Sequence, residues 1–248
     1  MNCNSCDAVI VVTDTYCGNC GKALQHSETK GSSEDLNLVI IFYVAILAIS
    51  IINYFLNQDG GSLVKESCIE AVFALTVIGF SLIDHKAIIR LYGFSKITPK
   101  WIFASLIIPI VSGLFIGLTT NYINEAFFEI DLNYFYDYLD YPNPMLYAFI
   151  FIAILPPIFE ELAFRGFLFN QLLKITNPKM TIILTAFIFA LVHFSILSLF
   201  WIFPFGLLLG YLRNKYHTLW LGMIIHFIHN LIVLLLDYYT YNQELGLY

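Results

Sequence analysis

Polar and ionisable side chains stand inside three apolar stretches of this sequence: Glu160, Glu161, Arg165, His193, His226, His229 and Asn230. A charged side chain inside a membrane is costly, so such residues are candidates for function by default. A carboxylate can act as a general base on water, while an imidazole can position that water, bind a metal or stabilise an oxyanion. An Asn amide is a fixed hydrogen-bond donor of the kind found in oxyanion holes. Since no Ser or Cys is placed among them as a nucleophile, the set suggests hydrolysis of an amide by activated water.

Helix spacing divides these residues into pairs. Glu161 and Arg165 are i,i+4 neighbours, which share a helix face and can form an ion pair. Glu160 points about 100° away and is left free to act on water. His226 and Asn230 share a face by the same i,i+4 rule. The remaining histidine, at position 229, lies beside that face, and we expect it to be hydrogen-bonded next to the site.

Three motifs follow one another along the chain: Glu160-Glu161-x3-Arg165, Phe189-x3-His193 and His226-x3-Asn230. In this order they resemble the CPBP intramembrane protease family, which includes CAAX prenyl endopeptidases and the bacteriocin-processing or immunity proteins also called Abi. The resemblance covers roughly residues 145–236. One motif alone would be a weak signal, but three in order, each on an apolar stretch, are specific.

The resemblance implies an intramembrane endopeptidase in which Glu160 activates water. Three further residues would position the water and stabilise the oxyanion: His193, His226 and Asn230. Glu161 and Arg165 would be structural. The Glu/His set could hold zinc, and a metal-free glutamate mechanism fits as well. The implied partners are the lipid bilayer and a membrane-associated peptide or protein substrate.

Three other interpretations stay open at this stage. The polar groups could be a cluster that only joins helices. The protein could be a non-catalytic membrane scaffold, a sensor or a bacteriocin-immunity protein. A transporter is a further alternative, although no inverted repeat of interrupted helices is visible in the sequence.

The composition indicates what kind of fold must position these residues. The chain has 248 residues, of which 59% are apolar and 12% charged, and its mean hydropathy is +0.76. These values exclude a disordered chain and an ordinary soluble enzyme. The net charge of −6 argues against a nucleic-acid binder, which needs a basic patch. We therefore expect an all-α polytopic membrane protein.

A transmembrane helix needs about 20 apolar residues, and the sequence has about seven candidate spans: 36–56, 67–84, 101–122, 145–168, 180–197, 199–212 and 219–238. The fifth and sixth are short and could form one bent pair or a re-entrant piece. Pro156, Pro157 and Pro204 fall inside spans, which is tolerated when neighbouring groups satisfy the freed carbonyls.

The distribution of basic residues predicts the orientation of the chain. The 85–100 loop carries Lys and Arg, whereas the 123–144 loop carries only acidic charges and many aromatic residues. The positive-inside rule then places the N-terminus in the cytoplasm and, after seven crossings, the C-terminus outside. We expect the 123–144 loop to form an interfacial aromatic belt, and the whole protein to be integral to a membrane, in keeping with a prokaryotic cell membrane.

The N-terminal segment has the cysteine spacing of a zinc ribbon, with two Cys-x2-Cys pairs separated by ten residues: Cys3, Cys6, Cys17 and Cys20. Four thiolates complete a tetrahedral structural zinc site, which leaves no open position for chemistry. The alternative, two disulfides, is disfavoured for a cytoplasmic segment. Residues 1–24 are therefore predicted to be a zinc ribbon, 25–35 a flexible linker and 36–248 the transmembrane domain. The lone Cys68 is expected to be buried and inert.

Overall fold

The computed structural model describes residues 5–6, 19–20, 22, 32–56, 62–93, 97–123, 133–194 and 196–246. No strand occurs in these ranges, in agreement with the expected all-helical membrane domain. Cys3, Cys17 and most of the predicted linker lie outside the described residues, so the zinc ribbon stays a prediction.

Eight helices are described: α1 (Ser33–Leu56), α2 (Leu63–Ile83), α3 (His85–Arg90), α4 (Pro99–Ile123), α5 (Pro144–Ile175), α6 (Pro178–Leu191), α7 (Ile196–Tyr216) and α8 (Trp220–Glu244). Within the described ranges, five helices are long and apolar enough to cross a membrane, namely α1, α2, α4, α5 and α8. They indicate an integral membrane protein, and the count of seven spans stays a prediction.

Helix α5 changes its winding along its length. It contains two π-helical segments, Phe149–Ile154 and Glu161–Leu168, on either side of the α-helical segment Leu155–Glu160. That middle segment carries Pro156 and Pro157, which lack the backbone N–H that would continue the ladder. Wider π turns inside α-helices are rare and often occur at functional sites. Here, the second π segment begins at the Glu pair.

Helix α6 is shorter than the span predicted at 180–197. It ends at Leu191, and His193 lies in the turn that follows. Phe194 has a φ of 50°, a left-handed backbone that ends the helix. The predicted boundary was therefore wrong, and His193 projects from a turn at the end of the helix.

The core forms around the second half of α5. All eight residues of its second π segment are buried, and Phe167 contacts Phe42 of α1 and Phe80 of α2. In contrast, many large apolar side chains on α1, α2 and α4 are exposed, which suits lipid contact. Cys68 is also exposed on α2, so the expectation of a buried thiol was wrong, because this face of α2 points away from the core.

The described part of the aromatic 123–144 loop packs inward. Phe135, Tyr138 and Tyr141 are buried and pack with Leu234 of α8. Both tyrosine hydroxyls donate hydrogen bonds to the Glu66 carboxylate at the start of α2. This segment thus connects α2 and α8. These three aromatic residues are buried and do not form the expected interfacial belt.

Candidate active site

The ion pair expected from sequence spacing is present in the core. Nη1 of Arg165 lies 2.8 Å from Oε1 of Glu161, and both side chains are buried. Arg165 also donates to the carbonyl of Gly206 on α7 and stacks over the Phe189 ring, 4.2 Å from its centroid. The guanidinium thus contacts three groups, and its ion-pair partner is Glu161.

His226 of α8 lies between the two carboxylates of the Glu pair. Its Nδ1 is 3.4 Å from Oε1 of Glu161, and its Nε2 is 3.8 Å from Oε2 of Glu160. The two ring nitrogens of His226 thus face one carboxylate each. His226 is one turn after Gly222, and a Cβ at that position would overlap Oε2 of Glu161. The absence of a side chain at Gly222 therefore allows α8 to approach the Glu pair.

Glu160 is the carboxylate that the arginine does not engage. It is the last residue of the middle α segment of α5, and its side chain is 21% exposed whereas that of Glu161 is wholly buried. Among the described residues, no group hydrogen-bonds its buried Oε2. The two adjacent glutamates therefore differ as the motif implies, one being held in an ion pair and the other available.

The hydrogen bonding of His193 defines its neutral tautomer. Its Nδ1 lies 2.7 Å from the carbonyl oxygen of Phe189. A carbonyl can only accept, so Nδ1 carries the proton and Nε2 of the neutral ring keeps a free lone pair. The His193 ring also packs edge-on against the Phe189 ring, 4.9 Å between centroids. In this state Nε2 can accept a hydrogen bond from water.

Asn230 does not present a free amide to the other site residues. Its Nδ2 donates to the carbonyl oxygen of Ile152 at 2.9 Å. In an α-helix that carbonyl would accept from residue 156, and in a π-helix from residue 157. Both positions are proline, so Asn230 supplies a donor that α5 itself cannot provide. The neighbour-satisfied carbonyl expected for a proline-containing span is realised here.

His229 lies on another side of α8 and contacts α4. Its Nδ1 is 3.3 Å from Oγ of Ser112, and its ring packs against Phe205 with centroids 4.7 Å apart. These contacts agree with the expectation that His229 is hydrogen-bonded beside the site.

A cavity of about 300 Å³ opens in front of Glu160 and His193. Its walls come from α1, α2, α5 and the turn after α6. Glu70 of α2 also lines this cavity and was missed from the sequence. The signal was available, because Glu70 is a carboxylate inside the predicted span 67–84.

The donor groups do not form an evident metal site. Within the part of the chain that the structure describes, no three His, Cys, Asp or Glu side chains are arranged to hold a metal ion. We therefore derive no step through a metal at this cavity.

Comparison with known families supports the resemblance that the three motifs indicate. Residues 142–232 match the family model "Type II CAAX prenyl endopeptidase Rce1-like". The matched segment contains all three motifs, from Glu160 to Asn230, and it supports the CAAX protease family and a protease activity. Searches of curated proteins and of solved structures return no significant match.

Proposed function

We propose that this protein is an intramembrane endopeptidase that hydrolyses a peptide bond with water activated by Glu160. The observation that carries the proposal is the arrangement of the Glu pair. Of the two glutamates, Arg165 forms its ion pair with Glu161. Glu160 faces His226 and lines a cavity together with His193. A carboxylate in a cavity between helices is a suitable general base, and the segment that holds it matches an endopeptidase family.

The reaction uses one water and one proton carrier. The Glu160 carboxylate takes a proton from water, and the oxygen of that water attacks the carbonyl carbon of the scissile peptide bond. The resulting tetrahedral intermediate collapses, the C–N bond breaks, and the proton held by Glu160 passes to the leaving amine. The products are a carboxylic acid and an amine, and the Glu160 carboxylate is regenerated.

In this scheme the other residues position the attacking water, stabilise the oxyanion or hold the helix that carries Glu160. The neutral His193 accepts a hydrogen bond from the attacking water through Nε2, because its Nδ1 proton is held by Phe189. His226 stands beside Glu160 and can donate to the developing oxyanion. The ion pair of Glu161 and Arg165 fixes the backbone that carries Glu160. Asn230 acts mainly through Ile152, as the donor that holds α5 in place.

The substrate class follows from where the cavity lies. Since it opens among helices long enough to cross a membrane, we propose a hydrophobic, membrane-associated peptide or protein as substrate. The spacing of the N-terminal cysteines resembles that of short zinc ribbons in prokaryotic membrane proteins, so we propose an unmodified peptide in a prokaryotic cell membrane rather than a prenylated one. The N-terminus is proposed to be cytoplasmic and the C-terminus outside.

The N-terminal cysteines are proposed to bind a structural zinc ion. The spacing of Cys3, Cys6, Cys17 and Cys20 supports a closed tetrahedral site. A segment this short cannot build a sufficient core, so zinc would supply its folding free energy. The ribbon would contact a partner or cap the membrane domain.

The test is a cleavage assay in proteoliposomes with wild type and Glu160→Gln. The panel contains unmodified hydrophobic peptides and farnesylated CAAX peptides, each incubated with and without chelator. We expect wild type to cleave and the variant to lose activity while its thermal unfolding in detergent stays unchanged. Glu34→Gln, in the exposed first turn of α1, is the matched control and should cleave like wild type. Cleavage retained by Glu160→Gln would overturn the mechanism.

A further inference from the structure

Glu70 is a carboxylate whose position the scheme above leaves unused. It lies about two turns into α2, inside a helix that is long and apolar enough to cross a membrane. Its Oε1 is buried and accepts no hydrogen bond from any described residue. An intramembrane carboxylate is costly unless it has a partner, and such residues mark functional sites. The buried Oε1 of Glu70 is therefore open to a partner from outside the described part of the chain.

The cavity places Glu70 together with Glu160. Both carboxylates line the same space of about 300 Å³, as does His193. Among the described lining residues, none is a lysine or an arginine. The buried guanidinium of Arg165, which is not a lining residue, forms its ion pair with Glu161. The described walls of the cavity thus carry two acidic groups and no lysine or arginine to balance them.

The remaining walls suit a long side chain with a charged end. Ile46, Ile49 and Phe73 add apolar side chains to the cavity that the two carboxylates line. Lysine and arginine have this same division, with a methylene stem that packs on apolar surface and a cationic end that needs an acceptor. Tyr54 and Phe194, whose rings lie 6.0 Å apart, add aromatic surface to the cavity that can also attract a cation.

We propose that Glu70 binds a basic side chain of the substrate, so that the cavity selects peptides with a lysine or arginine near the scissile bond. This inference rests on the proposed endopeptidase function. A bound cation would offset the charge of Glu70 in a low-dielectric cavity, where such attraction is strong.

The experiment compares two forms of one peptide library in proteoliposomes. Each peptide is hydrophobic and carries a single lysine, and the second form is the same library with that lysine acetylated, which removes only the charge. Products are quantified by mass spectrometry. We expect wild type to cleave the lysine form about tenfold or more faster, as a charge-assisted hydrogen bond allows. The difference should lie mainly in KM.

Substitution of Glu70 should remove this preference and leave cleavage itself in place. In Glu70→Gln the ratio of the two rates should fall towards one, and in Glu70→Asp, which keeps the charge, part of the preference should remain. Glu66→Gln on the same helix is the matched control, because Glu66 binds Tyr138 and Tyr141 outside the cavity. Its ratio should equal that of wild type, whatever its stability.

Three outcomes would overturn the role of Glu70. Wild type could cleave both library forms equally, Glu70→Gln could keep the wild-type ratio, or Glu70→Gln could abolish cleavage of both forms alike, which would indicate a proton-transfer role. If wild type cleaves neither form, the proposed function fails, and retention of the library by full-length protein in nanodiscs decides separately on Glu70. Enrichment of lysine peptides by wild type and its loss in Glu70→Gln would support the cation site, and equal retention would overturn it.

Discussion

Asn230 of α8 donates a hydrogen bond to the carbonyl oxygen of Ile152 in α5, 2.9 Å away. Pro156 and Pro157 prevent α5 from supplying that donor itself. The same α-helical segment of α5 ends at Glu160, only a few residues later. The contact therefore connects the last residue of the third motif, Asn230, to the helix that carries the first motif.

Replacing Asn230 with Ala should expose the cost of an unsatisfied carbonyl. We expect a loss of about 1–3 kcal/mol in the free energy of unfolding in detergent, because Ile152 loses its donor inside the protein. The background Pro156→Ala restores a backbone N–H at the α-helical distance, so Asn230→Ala should cost clearly less there. The measurement is a double-mutant cycle by denaturant unfolding. Additive effects of the two substitutions would contradict this explanation.

Breaking the buried ion pair from one side should be severe. In Glu161→Gln the Arg165 guanidinium would remain buried without its carboxylate partner. Removing one partner of a buried pair costs about 3–5 kcal/mol, whereas replacing both can be nearly neutral. We therefore expect the double variant Glu161→Gln/Arg165→Met to be more stable than Glu161→Gln alone. The midpoint of thermal unfolding measures these differences. A double variant less stable than Glu161→Gln would show that the unpaired Arg165 guanidinium does not cause the loss of stability in Glu161→Gln.

Sequence spacing was sufficient for the parts of the site that lie on one helix. The i,i+4 rule predicted the pair of Glu161 and Arg165, because both the rule and the pair are local. The family motifs predicted that Glu160 and His226 converge, which helix packing then produced. These successes share one cause, namely that helix geometry and motif order can be read without knowledge of neighbouring helices.

The missed features depend on contacts between elements. The partner of Asn230 could not be assigned, since a freed carbonyl does not specify which neighbouring helix will supply its donor. The end of α6 before His193 was missed because the apolar run continues past it and hides the left-handed turn at Phe194. Glu70 was visible as a charge in a span, but only the cavity connects it to Glu160.

Gly222 is a position where a single methyl group should disturb the site. A Cβ in Gly222→Ala would overlap Oε2 of Glu161, and moving that carboxylate aside would disturb its ion pair with Arg165. We expect a loss of about 1–3 kcal/mol in stability from overpacking, together with slower cleavage. Unfolding in detergent and the peptide assay measure the two effects.

The matched control for this substitution is Gly79→Ala on α2. Apart from the local backbone of α2, no atom of the described residues lies within 4 Å of a Cβ built at Gly79, and Ala favours a helix over Gly by about 1 kcal/mol. This variant should therefore be as stable as wild type or slightly more stable. A Gly222→Ala protein that is as stable as Gly79→Ala would mean that α8 can move away from the Glu pair without cost.

The hydrogen bonds from Tyr138 and Tyr141 to Glu66 should stabilise the packing of these tyrosines against the start of α2. Burial, together with the neighbouring Glu66 carboxylate, raises the pKa of Tyr138, so the hydroxyl keeps the proton that it donates. Tyr138→Phe and Tyr141→Phe should each cost about 0.5–1.5 kcal/mol. In a Glu66→Gln background the cost of Tyr138→Phe should be smaller, because the charge-assisted bond is already lost. Equal costs in both backgrounds, measured by thermal unfolding, would show that packing of the ring dominates.

Zinc content separates the two kinds of cysteine in the chain. If the N-terminal cysteines form a ribbon, purified full-length protein should contain about one zinc ion per chain, and Cys17→Ser should lose it, because a tetrahedral structural site needs four ligands. Cys68→Ser is the matched control, since Cys68 is an exposed residue of α2 and no part of the cysteine pairs. Elemental analysis of the purified proteins measures both. Zinc retained in Cys17→Ser at the level of Cys68→Ser would overturn the ribbon, whereas selective loss would establish that residue 17 is required for the metal.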